Sequence, residues 1–401
     1  MLLTDTQGQE RLPRYFARVF DMARGMGSGR LDFVLRDGRV FRAEGRVPGP
    51  VAELHLHHDD IFARLIREGD LGFCEAYLDG WWSTPDLMAF LDLVHANEEM
   101  FDGYPGGGLV RMWERFRFWM QSNSRKQAKK NIAHHYDLGN DFYGLWLDDT
   151  MTYSSALFRT GQESLEKAQE LKYASMIDQM GARPGDHVLE IGCGWGGFAE
   201  YAARERGLRV TGLTISQEQF AYAQDRIAKA GLTDRVDLKL QDYRDERGSY
   251  DGIASIEMFE AVGEKYWPTY FETVQARLKP GGHATLQIIT VQHKRWEIYR
   301  RGVDFIQKYI FPGGMLPSPE VLRAEVERAG LQVVRSLEFG ESYSQTLRRW
   351  HETFNDRWDE VSALGFDARF RRMWNFYLAS CAATFHSGNC DVTQITIAKP
   401  A

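Results

Sequence analysis

The segment Val188-Leu189-Glu190-Ile191-Gly192-Cys193-Gly194-Trp195-Gly196-Gly197 constrains this chain more than any other. An apolar run carrying one acid breaks there into a glycine-dense turn. Glycines let backbone N–H groups approach a ligand closely. A helix opening just beyond, at Phe198-Ala199-Glu200-Tyr201-Ala202-Ala203, aims its N-terminal amides at the same place. Alone, a Gly-x-Gly turn after a strand also suits a dinucleotide site or a tight structural turn.

The following strands narrow the choice. A dinucleotide pattern asks for a third glycine three positions after the second, and for an acid about 20 residues on, at the end of the next strand. Here the next strand, Arg209-Val210-Thr211-Gly212-Leu213-Thr214-Ile215-Ser216, ends in hydroxyls followed by Gln219. A third strand, Val236-Asp237-Leu238-Lys239-Leu240, leads into Gln241-Asp242-Tyr243, where an acid can reach an adenine amino group. A fourth, Tyr250-Asp251-Gly252-Ile253-Ala254-Ser255-Ile256, ends at Glu257-Met258-Phe259-Glu260-Ala261-Val262-Gly263. Strands alternating with helical stretches, each with polar residues at its C-terminal end, predict an α/β fold with a doubly wound, mostly parallel sheet and ligands along that edge.

Six pieces in fixed order then carry a family resemblance: HHYDLGNDFYGLWLDDTMTYSSALF, GCGWGGF, GLTISQEQ, LQDYRD, MFEAVGE and KYIFPGGMLPS. From about Asn131 to the C-terminus the chain resembles the cyclopropane-fatty-acyl-phospholipid synthases and the related mycolic acid cyclopropane synthases, which are S-adenosylmethionine-dependent methyltransferases. The resemblance implies a Rossmann-like class I methyltransferase domain over 131–401, with lipid-binding insertions. It places cofactor contacts on Tyr153 and Ser154 before the first strand of that fold, and on Glu190, Gly192 and Gly194 in the turn. Thr214, Ile215 and Gln219 follow the second strand, and Gln241 and Asp242 the third. On the acceptor side the family holds a bicarbonate ion with a cysteine, a glutamate, a histidine and a tyrosine. Those positions fall here on Ser155, Glu260, Gln287 and Tyr343, so two of the ligands differ, and the histidine that usually follows the glutamate is Ala261. Serine and glutamine can still hydrogen-bond an anion, but the imidazole that could carry positive charge is gone. A weaker hold on an anionic base implies a methyl-branched or methylene chain as an alternative product to the cyclopropane ring.

The chain has 401 residues, which predicts about two to three domains. Asp102-Gly103-Tyr104-Pro105-Gly106-Gly107-Gly108 reads as a linker. Before it, over 1–102, a small α+β domain is expected, with a hairpin around Asp37-Gly38 and a short helix at Ile61–Ile66. Gly69-Asp70-Leu71-Gly72-Phe73-Cys74-Glu75-Ala76-Tyr77 with Asp79-Gly80-Trp81-Trp82 resembles the N-terminal hallmark of the bacterial phospholipid enzymes. After it, within 103–130, Leu109 to Lys130 interleaves aromatic and apolar residues with Arg111, Arg115 and Arg117, followed by Arg125, Lys126, Lys129 and Lys130. That is a basic amphipathic helix, which packs on the core or rests on anionic lipid. The net charge of −7 argues against a nucleic-acid partner. Four cysteines show neither paired metal-ligand spacing nor a disulfide framework, and His55, His57 and His58 lack a completing ligand set, so no metal is expected. With no secretory leader and no spanning helix in the sequence, the expectation is a cytoplasmic protein peripheral to the inner membrane face, with unsaturated phospholipid as partner and a homodimer as assembly.

A carbon–carbon double bond is a poor nucleophile, so its methylation calls for a strong electrophile in a dry pocket. The carbocation that forms calls for aromatic faces and a carboxylate. Glu260 is the expected carboxylate. Candidate aromatics are Tyr136, Phe142, Tyr143, Trp146, Tyr153, Phe158, Tyr309, Phe311, Tyr343, Trp350 and Phe354. Three functions fit: a methyltransferase on unsaturated acyl chains of phospholipid, one of the same fold on another small acceptor, and a non-catalytic relative that keeps the cofactor turn.

Overall fold

The computed structural model describes residues 2–98 and 138–401. The glycine linker, the basic amphipathic helix from Leu109 to Lys130 and Tyr136 lie outside the described residues.

A small five-stranded sheet of order β1-β3-β2-β4-β5 forms the N-terminal part, from β1 (Leu2–Leu3), β2 (Ser28–Val34), β3 (Val40–Glu44), β4 (Val47–Leu56) and β5 (Trp82–Ser83). The expected hairpin is present: β2 and β3 pair antiparallel, and Gly38 takes a φ of 84° in the turn between them. The helix predicted at Ile61–Ile66 is longer, running Ile61–Leu78 across a kink at Gly69, where φ is 69°. The helix continues past Gly69 and Gly72 because Phe62 before the kink and Ala76 and Leu78 after it are buried.

The larger sheet has seven strands in the order β11-β12-β10-β9-β6-β7-β8. They are β6 (His187–Ile191), β7 (Arg209–Thr214), β8 (Val236–Leu240), β9 (Tyr250–Ile256), β10 (Leu278–Val291), β11 (Gln332–Glu338) and β12 (Cys390–Ala398). β10, β9, β6, β7 and β8 run parallel, while β12 is antiparallel to β10 and to β11. Both faces are covered, which explains the near-continuous apolar runs. Leu189, Leu213 and Ile253 pack with Trp267 and Phe271 on one face, and Val188, Val210 and Ala254 with Met176 and Phe198 on the other. The chain leaves β6 toward β7 and β8, then returns to place β9 on the other side of β6. That reversal opens a crevice at the C-terminal ends of β6 and β9, the usual ligand position in such sheets. The glycine turn follows β6, and Glu257 follows β9.

The two sheets are joined by segments far apart in sequence. Glu75 Oε1, in the N-terminal hallmark, accepts from Lys308 Nζ at 2.7 Å and from Tyr309 Oη at 2.8 Å, both in the KYIFPGG segment. Arg348 grips Asp92 with contacts of 3.1 and 2.9 Å, and Arg372 Nε donates to the Leu78 carbonyl at 2.8 Å. Glu75→Ala is therefore expected to remove both of these contacts across the two parts and to lower unfolding stability by about 1–3 kcal/mol in denaturant titration. An unchanged midpoint would show that this clasp carries no stability.

Candidate active site

The turn after β6 is built by glycine. Gly192, Gly194 and Gly196 have φ of 85°, 51° and 83°, in the region side chains avoid. The Gly192 and Cys193 amides are tied to the Leu213 carbonyl at 3.0 and 2.8 Å, so β7 fixes the loop. A Cβ at Gly192 would meet Met258 Cγ at 2.8 Å, whereas one at Gly194 would project into open space. That space is a cavity of about 970 Å3 along the sheet edge. Tyr153, Ser154, Glu190, Gly192, Gly194, Thr214, Ile215, Gln219, Gln241 and Asp242 all line it, together with Glu260 and Tyr343.

The polar side chains of this end are held in place. Ser216 caps the helix Gln217–Lys229, and Thr214 Oγ1 donates to Gln219 Oε1 at 3.1 Å. Asp242 is held too: its two oxygens accept from Arg244 Nε and Nη2 at 2.8 and 2.6 Å, because the residue two positions on folds back over it. Glu190 has an oxygen, Oε2, with no partner, and burial pushes its carboxyl up to about 8 against the pull of Lys172 and Arg226. A cation placed beside it would favour its ionised form. An open glycine turn with a waiting carboxylate thus fits a donor that carries an ammonium and a sulfonium.

Four segments meet on the acceptor side, and they meet on Glu257. Its Oε1 accepts from the Ser155 amide at 2.7 Å and from Gln287 Nε2 at 2.8 Å, and its Oε2 accepts from Tyr343 Oη at 2.7 Å. Those are three of the four positions expected to gather around a bicarbonate with Glu260. The Ser155 hydroxyl turns away to the Ala156 carbonyl at 2.9 Å, so serine contributes its backbone and not its side chain. Gln287 is aimed by Gln394, whose Nε2 donates to Gln287 Oε1 at 3.1 Å while Ser175 and Gln179 donate to Gln394 Oε1 at 2.6 and 2.7 Å. Ser155 and Gln287 are fully buried and stand behind Glu257, which itself lines the cavity. The donors do not fit a free bicarbonate, because a side-chain carboxylate already satisfies them.

Glu260 lines the same cavity but takes none of these donors. Its Oε1 accepts from the Ile289 amide at 2.6 Å, and its Oε2 is buried without a partner. Burial pushes its carboxyl up to about 8, and the charge of Glu257 adds to the push. Glu257 is also raised by burial, but Tyr343, the Lys172 charge, Gln287 and the Ser155 amide oppose the shift. The pair therefore favours one negative charge over two, with Glu257 the better stabilised carboxylate of the two. Lys172 is fully buried, donating to Ser154 Oγ and Gln169 Oε1, both at 2.6 Å. Burial pulls its ammonium down to about 7, with Glu257, Asp148 and Glu190 opposing.

Glu257 and Lys172 were not among the expected site residues. Glu257 carries a signal nonetheless: its φ of 48° is a conformation that a side chain tolerates at a cost of about 1–2 kcal/mol. Of the candidate aromatics, Tyr153, Phe311 and Tyr343 line the cavity. Phe142, Tyr143, Trp146, Trp350 and Phe354 are packed in the core that joins the two parts of the chain. Phe305, Phe376, Tyr377 and Phe385 complete the cavity wall, and Tyr377 Oη meets Tyr153 Oη at 2.6 Å. The histidines are otherwise engaged: His55 with Glu53 at 2.6 Å, His57 with Ser83 at 2.7 Å, and His58 stacked on Trp81. No cluster of metal-ligating residues occurs among the described residues.

Comparison with known proteins agrees with this geometry. Residues 123–395 match the family described as mycolic acid cyclopropane synthetase. The tuberculostearic acid methyltransferase of Mycobacterium tuberculosis is 40% identical over 378 residues, covering 92% of this chain and 88% of the relative. The cyclopropane-fatty-acyl-phospholipid synthase of Escherichia coli strain K12 is 37% identical over 350 residues, 87% of this chain and 88% of the relative. The mycolic acid cyclopropane synthase CmaA1, solved in complex with SAH and CTAB, superposes with a TM-score of 0.64 at 31% identity, over 68% of this chain and 98% of that one. The glycine turn, the sheet that carries it and these matches together make the chain a member of the mycolic acid cyclopropane synthetase family of S-adenosylmethionine-dependent methyltransferases.

Proposed function

We propose that this enzyme adds a methyl-derived carbon to the cis double bond of unsaturated acyl chains in membrane phospholipid. The observation that carries the reading is the cavity, which the glycine turn shares with Leu347, Phe376, Tyr377 and Phe385, an apolar and aromatic wall suited to a hydrocarbon chain. On its edge stand exposed Lys294 and Ile298, the latter 78% exposed, a pairing of cation and apolar side chain suited to a lipid headgroup region. The names of the relatives, a fatty-acyl-phospholipid synthase and a tuberculostearic acid methyltransferase, support the same substrate class.

The donor supplies, when bound, an electrophilic methyl group on a positively charged sulfur. The chain supplies the rest. Glu190 and the turn from Gly192 to Gly194 hold the polar end of the donor, the aromatic wall excludes water, and Glu257 offers a negative charge beside the reacting carbons. The product is a cyclopropane ring, or a methyl-branched or methylene chain. The enzyme acts from the cytoplasmic side as a peripheral membrane protein. Incubation of purified protein with methyl-labelled S-adenosylmethionine and mixed phospholipid vesicles should place the label in fatty acids released by saponification. Label in the headgroup fraction or in no lipid would overturn the reading.

A further inference from the structure

We infer that the Glu257 carboxylate is the resident proton acceptor of the reaction, built into the chain where an exchangeable anion would otherwise sit, so that this enzyme needs no bound bicarbonate. The inference rests on acyl-chain methyl transfer as the reaction, but the placement of the carboxylate stands on geometry alone.

Three donors from three different segments converge on that one carboxylate: the Ser155 amide, Gln287 Nε2 and Tyr343 Oη, at 2.7, 2.8 and 2.7 Å. Converging donors of this kind make an anion site. Its occupant is a side chain, carried in on the residue after β9 by a backbone with positive φ. Strain of that sort persists where the surroundings over-determine it, and it concentrates at working sites. A purely structural role is a poor account, because the carboxylate faces the cavity, where a buried charge has least reason to be kept. Each carboxylate oxygen has two acceptor positions. Ser155 and Gln287 use both on Oε1, and Tyr343 uses one on Oε2, which leaves one on Oε2 for a proton.

The chemistry balances with a single base. Methyl transfer breaks the carbon–sulfur bond, whose electron pair stays on sulfur, and the alkene pair forms the new carbon–carbon bond. The neighbouring chain carbon becomes cationic. If Glu257 takes a proton from the new methyl group, that C–H pair closes the ring. If it takes one from the adjacent chain carbon, the pair forms a new double bond in a methyl-branched chain. Either way one proton moves to Glu257 and passes to solvent before the next cycle, and no oxidant or reductant is required.

The test compares wild type, Glu257→Gln and Glu257→Ala in carbon-dioxide-free buffer and in buffer with added bicarbonate. Wild-type turnover is expected to be the same in both. Both variants should bind S-adenosylmethionine normally by calorimetry, yet turn over about a hundredfold more slowly or worse without bicarbonate, the scale of a lost general base. An independent readout follows isotope-labelled bicarbonate by NMR: no bound species with wild type, and a bound species with Glu257→Ala, where the emptied donors are free to take it. Wild-type activity that collapses when bicarbonate is removed, labelled bicarbonate bound by wild type, or full activity of Glu257→Ala without bicarbonate would each overturn the assignment. If instead wild type labels no lipid in either buffer, the acyl-chain reading fails, while the NMR result still decides which group fills the anion position.

Discussion

Gly194→Val is expected to abolish binding of S-adenosylmethionine while leaving the fold largely intact. The expectation has two parts. A Cβ at this position meets no atom within 4 Å apart from its chain neighbours, so the added side chain starts out in open space, in the volume the donor must use. The φ of 51° also strains any side chain placed there, by about 1–2 kcal/mol, which a domain of this size can absorb. Calorimetric titration should show no binding, and circular dichroism a melting curve close to that of wild type. Unchanged affinity would remove the turn from the donor site.

The second large effect is expected from Lys172→Met, which removes a buried cation while roughly keeping volume. Three carboxyl groups lean on that charge: Glu257, Asp148 and Glu190. Around Glu257 stand Lys172 from the helix Leu165–Met180, Tyr343 from the helix Gly340–Asp356, Gln287 from β10, the Ser155 amide and the like-charged neighbour Glu260. Glu257 must be ionised to accept a proton, so turnover should rise with pH through its pKa and level off above it. Burial holds that pKa above the ordinary glutamate value, which sets the acid limb of the wild-type profile higher than an exposed glutamate would. Without Lys172 the ionised form loses a cation that favours it and the limb should move to still higher pH, each unit costing about tenfold on the rising part. Ser154 Oγ and Gln169 Oε1 lose their donor as well, a penalty of about 1–3 kcal/mol for each group left unpaired, partly offset because a desolvated ammonium is no longer buried. A profile that keeps its acid limb in Lys172→Met would show that Lys172 does not tune the base.

How far the sequence speaks depends on how local each feature is. The turn from Gly192 to Gly197 was legible because strand, glycines and helix are contiguous, and the alternation from β6 to β9 announces a parallel sheet. The bidentate pairing of Asp242 by Arg244 lies two residues apart, but which rotamers meet is not written in the spacing. The anion site was legible in part, through Ser155, Gln287 and Tyr343. Its occupant was not, because a positive φ at Glu257 and contacts with segments about one hundred, thirty and ninety residues away arise only once the sheet has assembled. The MFEAVGE motif singles out Glu260. In the fold that side chain points to the Ile289 amide, and the residue three positions earlier takes the donors. The helix after Asp60 runs on past Ile66 for the opposite reason: glycines that signal a break in a lone segment are tolerated at a kink when both halves have a core to bury against.

The account comes down to where the transferred carbon goes and which group takes the proton. Lipid extracts from a host rich in unsaturated phospholipid, expressing wild type or Glu257→Gln, can be resolved by mass spectrometry into acyl-chain and headgroup changes. The predicted result is unsaturated chains heavier by one CH2 group in the wild-type extract, unmodified headgroups, and near-absence of the product with Glu257→Gln. Acyl chains unchanged by wild type, or product made equally well by Glu257→Gln, would contradict it.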